Sequence, residues 1–268
     1  MVERPIRIIT AGVDADTNVR LVTEAGGALV EAASAGDLQG ARLVRSGVVD
    51  YYLGTCWSGG GGALAAATAL LGAERVAIVA TPGMSVDRAR VETFLSEGRQ
   101  AFGFPYEQSK AAISTIVKAI LAAHADGRPA EVAGHLTVVP VGSGGIGPFQ
   151  ERFDLLEAGG QLDPHVRPVV EGFLGDLATS FGVAVDEATA PQFATHLATA
   201  FTRIRAGDED LEASAVVTAE IRDRTAEVEF VTDVVRRSES ALGRIVPQAE
   251  IDYMVVHVCA LIDSQNRH

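Results

Sequence analysis

The sequence predicts two units of different class: a three-layer α/β unit built on a parallel sheet, then an all-α unit of five helices. Three observations carry this. In the first 124 residues, short apolar runs alternate about five times with helical patterns, the signature of a parallel sheet with helices on both faces. The run 76–80 shows no polar alternation, as expected of a strand covered on both sides. Beyond about residue 160 the strand pattern stops and five helical stretches follow, with Pro164, Pro191 and Pro247 where helices would begin.

Taken in order, 6–12 reads as a first strand ending at Gly12, and Asp16 or Thr17 caps a helix to about residue 25. A second strand is expected at 28–33, then a helix at 37–45 closed by Ser46-Gly47. Residues 48–54 form a third strand by their β-branched and aromatic content. An alanine-rich helix at 60–71, a strand at 76–80, a helix at 88–97, a strand at 100–104 and a long helix at 106–124 complete a Rossmann- or flavodoxin-like order. Asp126-Gly127-Arg128-Pro129 breaks that helix. A connector follows, with an extra strand at 135–141 and a short segment at 149–156 ending in Gly159-Gly160. Helices are then expected at 164–181, 190–204, 211–221, 225–242 and 247–264. The expected division is 1–124, a connector at 125–160, and 161–268.

Charge narrows the function classes. The formal net charge is −13, and Lys110 and Lys118 are the only lysines, so direct nucleic-acid binding is disfavoured. The apolar stretch 63–71 is too short to span a membrane, and the N-terminus does not have the pattern of a signal peptide. Cys56 and Cys259 lie far apart, which suits a reducing compartment, so a cytoplasmic protein is expected.

Two helical stretches each carry one histidine in an apolar run. His196, Ala200 and Arg203 share one face, and Glu250, Tyr253 and His257 share another. Spacing alone leaves two readings: half-buried histidines at helix contacts with a solvated Arg203, or imidazoles that use their near-neutral pKa in chemistry. On these motifs, residues from about 163 onward resemble the phosphotransferase-system (PTS) regulation domain, or PRD, a five-helix module of bacterial regulators. The resemblance implies phosphorylation of His196 and His257 by a phosphocarrier protein or a sugar-permease subunit, and a homodimer. Arg203, Glu250 and Tyr253 would support the phosphosites: Arg203 by holding the phosphoryl group or the ring, Glu250 by fixing the tautomer of His257 or repelling its phosphorylated form. Both rings are expected on helical surfaces that a donor protein reaches. Regulators of this class usually carry an RNA-binding or helix-turn-helix domain. Neither is visible here, so any control of transcription is expected to be indirect.

The second candidate is the strand–loop–helix unit from Gly54, through Thr55, Cys56, Ser58 and the run Gly59, Gly60, Gly61, Gly62, joined at the same sheet edge by Pro82 and Gly83. Glycines let a ligand approach backbone N–H groups, and a following helix offers its positive end to an anion. The blander reading is a tight turn and a close helix–sheet contact. No Gly-Lys-Ser/Thr follows, so this is not a P-loop. Together with Ser46-Gly47, Asp50 to Cys56, Gly98 and Ala101-Phe102-Gly103, the segment is similar to the YhfU-like family over about 6–123, a family that brings no assigned chemistry. A small anionic metabolite or a partner is the expected ligand.

The run Gly142-Ser143-Gly144-Gly145-Ile146-Gly147 fits G-x-G-x-x-G only formally, because Pro148 follows at once. His124, His135 and His165 have no ligand-spaced partners, so neither a metal nor a cofactor is expected. The expectation is a PTS-responsive regulator rather than an enzyme. The alternative is a carbohydrate-pathway enzyme centred on Cys56 and the glycine loop.

Overall fold

The computed structural model describes residues 4–57, 62–125, 147–208 and 215–266, without the side chains of 215 and 216. Contacts divide the chain into two compact units, Met1–Gly142 and Ser143–His268.

In the first unit, β1 (Ile6–Gly12), β2 (Val30–Ser34), β3 (Tyr51–Cys56), β4 (Val76–Ile78) and β5 (Ala101–Pro105) form one parallel sheet in the order β2-β1-β3-β5-β4. Helices α1 (Ala15–Gly26), α4 (Arg88–Ser96) and α5 (Ser109–Ala125) cover one face, and α2 (Asp37–Arg45) and α3 (Ala65–Leu71) the other. Right-handed crossovers explain the sorting. The β1-to-β2 and β4-to-β5 connections step one way across the sheet and place α1 and α4 together. The β2-to-β3 and β3-to-β4 connections step the other way and place α2 and α3 opposite. Strand periodicity feeds both cores: adjacent Ile8 and Ile9 enter different ones, and Tyr52 is separated from Tyr51 and Leu53.

The strand order exchanges the last two positions of the flavodoxin-like order 2-1-3-4-5. β4 is the short edge strand and β5 lies inside, against β3. β3 begins three residues later than the β-branched run suggested. Val49 N–H is taken by Leu43 O at 3.2 Å and Asp50 N–H by Arg7 O at 2.9 Å, which closes the turn after α2. The strand therefore reaches Cys56, and all six of its residues are buried.

The second unit is helical: α6 (Gln150–Ala158), α7 (Arg167–Phe181), α8 (Pro191–Ala206), α9 (Ala215–Glu220), α10 (Thr225–Leu242) and α11 (Gln248–Asn266). Five of these answer the five expected helices. The sixth, α6, falls in the segment read as connector, yet its Arg152 is only 1% exposed. Arg152 donates to Thr195 Oγ1 at 2.6 Å and to the Glu187 carboxylate at 3.0 Å, tying α6 to the α8 end of the unit. α7 starts at Arg167, with Pro168 rather than Pro164 in its first turn. The strand expected at 135–141, with His135, and most of the 142–147 glycine run lie outside the described residues. Among the described residues no helix is long and apolar enough to cross a membrane.

Candidate functional site

α8 and α11 are apolar on nearly every side, which buries them in the middle of the helical unit. Each brings one histidine into that interior. The rings of His196 and His257 lie 4.8 Å apart between centroids and are tilted by 33°. Phe193, one turn before His196, stacks on His257 at 5.5 Å and 17°. Seven residues beyond His196 on α8, Arg203 donates to Oε1 of Glu250, which stands seven residues before His257 on α11. The two heptad-spaced pairs therefore meet antiparallel. Tyr253, between Glu250 and His257 in sequence, is fully buried.

Three readings need correction. The imidazoles are not on surfaces open to a donor: His196 is 6% exposed and His257 8%, with the two rings against each other and Phe193 stacked on His257. Nor does Glu250 address His257. Its Oε2 lies 3.9 Å from Nε2 of His196. Neither of these two atoms has a hydrogen-bond partner among the described residues. Arg203 is not solvated away from the site. It is bound to Glu250, with 27% of its side chain exposed.

Burial sets the charge states. It pushes His196 well below its ordinary value, with further lowering from His257 and Arg203. It lowers His257 to about 4. Both rings are thus neutral at pH 7 and keep a free lone pair. Burial also raises Glu250, against the opposing pull of Arg203 through charge and hydrogen bonding. The arrangement offers two nucleophilic nitrogens, one cation and one carboxylate.

In the α/β unit, the expected ligand residues divide. Gly54 and Thr55 are held by packing: a Cβ at Gly54 would lie 2.7 Å from Ala63 O, and Thr55 Oγ1 accepts from buried Asn18 at 2.8 Å. Gly12 approaches the same strand so closely, at φ 100°, that a Cβ would fall 1.9 Å from Thr55 O. Cys56 is buried within β3, opposite Pro105, and forms no disulfide. Gly62 opens a short turn before α3. Ser58, Gly59, Gly60 and Gly61 lie outside the described residues. Pro82 and Gly83 form a turn closed by two hydrogen bonds between Thr81 and Met84 and braced by Gln108, which donates to Thr81 O at 2.8 Å. The sequence reading missed a cleft of about 500 Å³ beyond β1 and β2, lined by Gly12, Asp14, Asp16, Ser34 and Gln39 among others. Its acids read from sequence as a helix start, and only the left-handed Asp14, at φ 54°, marks it as unusual. None of Gly54, Thr55, Cys56, Gly62, Pro82 or Gly83 lines it.

Fold and site define a two-unit protein: an open parallel α/β unit followed by a helical unit with an interhelical histidine pair. Through the first unit the chain belongs to the DUF2620 family, described as proteins of unknown function, whose family model matches residues 6–120. The model of the PRD domain matches residues 171–261, which include both histidines, Arg203, Glu250 and Tyr253 but not α6. The uncharacterized proteins YhfU of Escherichia coli (strain K12) and of Shigella flexneri are each 35% identical over 81 residues, covering 30% of this chain and 69% of YhfU. No solved structure matches. The PRD domain supports a PTS-type regulatory role.

Proposed function

We propose that this protein is a PTS-responsive regulator switched by phosphorylation of His196 and His257. The observation that carries the reading is the pair of imidazoles from α8 and α11, 4.8 Å apart beside a site that holds Arg203. A neutral ring supplies the lone pair that attacks phosphorus, and a guanidinium suits the phosphoryl product. With both rings closed in, a donor reaches them only when α8 and α11 part, so the closed pair is the unphosphorylated state and phosphorylation captures an opened one. The donor is a phosphocarrier protein or a sugar-permease subunit. The regulator is a cytoplasmic homodimer and acts on transcription only indirectly. Its N-terminal unit takes a small anionic metabolite or a partner on the β3 and β4 side of the sheet edge, not in the cleft lined by Asp14 and Asp16.

The test is incubation of the intact protein with phosphoenolpyruvate, the general phosphotransferase enzymes and phosphocarrier. Acid-labile phosphate should appear on the wild type and disappear in the double variant His196→Gln/His257→Gln, with circular dichroism checking that the variant stays folded. An unlabelled wild type removes the reading. For the N-terminal unit, Trp57 is the sole tryptophan and stands directly after β3. Titration with sugar phosphates should shift its fluorescence to saturation.

A further inference from the structure

We propose that Glu250 converts phosphorylation into movement: a phosphoryl group on Nε2 of His196 takes Arg203 from Glu250, and Glu250, left buried without its cation, moves the first turn of α11 away from α8. The step presupposes phosphorylation of His196 as proposed above. Glu250 sits in the first turn of α11 and is 2% exposed. Its Oε1 accepts from Arg203, while its Oε2 faces His196 Nε2 at 3.9 Å, both atoms being without hydrogen-bond partners among the described residues. Buried polar atoms are normally paired, so two facing each other unpaired mark where a new substituent would act.

In the transfer, the bond from phosphorus to the imidazole nitrogen of a phosphohistidine carrier breaks, and its electron pair returns to that ring. The Nε2 lone pair of neutral His196 forms the new bond, with the ring proton on Nδ1. The product places close to two negative charges, by analogy with other phospho-residues, beside a carboxylate already in the interior. Arg203 is the cation whose charge reaches His196. A dianion with three acceptor oxygens binds a guanidinium fork more strongly than a single carboxylate does. Glu250 then gains a proton or leaves, and leaving takes Ile251 and the turn anchored by the Glu250 N–H to Pro247 O with it.

The intact protein is phosphorylated with phosphoenolpyruvate, the phosphotransferase enzymes and phosphocarrier, and hydrogen exchange is followed over residues 248–253. On wild type, labelling of His196 should accelerate exchange there by about tenfold or more. Glu250→Gln keeps the shape without the charge. It should raise the equilibrium constant for phosphoryl transfer from phosphocarrier by about tenfold and abolish the exchange response. Glu250→Asp, which keeps the charge, should restore the response, and Arg203→Gln should lower the labelled fraction. A wild type labelled on His196 with unchanged exchange, a label confined to His257, or a Glu250→Gln variant matching wild type overturns this proposal and leaves phosphoregulation standing. No label on wild type overturns both.

Discussion

At the residue scale, the buried histidines make stability depend on pH. His257 titrates at about 4 when folded and at the ordinary 6.5 when unfolded. Below 6.5 the unfolded chain binds more protons, so the stability that neutral His257 contributes is present above 6.5 and is lost as pH falls toward 4. The amount is on the order of 3 kcal/mol. His196 is shifted the same way, while Glu250, raised by burial, has the opposite sign: its contribution is present at low pH and lost as pH rises through its folded value. Urea unfolding of the intact protein between pH 7 and 5 should show this loss, and His257→Gln should flatten it. Which of these residues share a helix was legible in the sequence, because two seven-residue spacings fix which side chains lie on one face, but the pairing of Arg203 and His196 with Glu250 across the helices was not. Nor was their burial. Spacing shows that a histidine lies among apolar residues but not whether a second helix covers it, and α11 is apolar nearly all round.

At the element scale, α6 is the informative case. Its sequence lies between a glycine-rich run and Gly159-Gly160, which read as punctuation, and it falls outside the PRD match. The buried Arg152 nevertheless fastens it to Thr195, the residue before His196. Arg152→Ala removes one partner of an ion pair with Glu187 that is buried on the arginine side, and should cost about 3 kcal/mol in denaturant unfolding. Arg152→Met, which refills the volume, should cost less. α2 and α10 were placed to the residue because glycine or serine stops follow them directly. β3 was misplaced because Val48 and Val49 have strand propensity, yet the local turn uses the backbone N–H groups of Val49 and Asp50.

At the scale of the whole molecule, each unit has its own core, and the single tryptophan belongs to the first. Fluorescence therefore follows the α/β unit, while helical circular dichroism is weighted toward the second. If the units unfold independently, the two signals should give separate midpoints, and a Glu250 or Arg152 substitution should move only the second. The exchanged order of β4 and β5 could not be read from the sequence, since the alternation of elements fixes their number and not their lateral order. That exchange also constrains synthesis. The edge of β3 that faces away from β1 pairs with β5, so a growing chain that has emitted β4 still cannot seal the sheet. Until residue 105 clears the ribosome tunnel, β3 offers a bare edge, all of whose residues are buried in the finished fold, to neighbouring polypeptides. Ribosome-stalled chains ending near residue 100 should bind holdase chaperones more strongly than chains long enough for residue 105 to have left the tunnel.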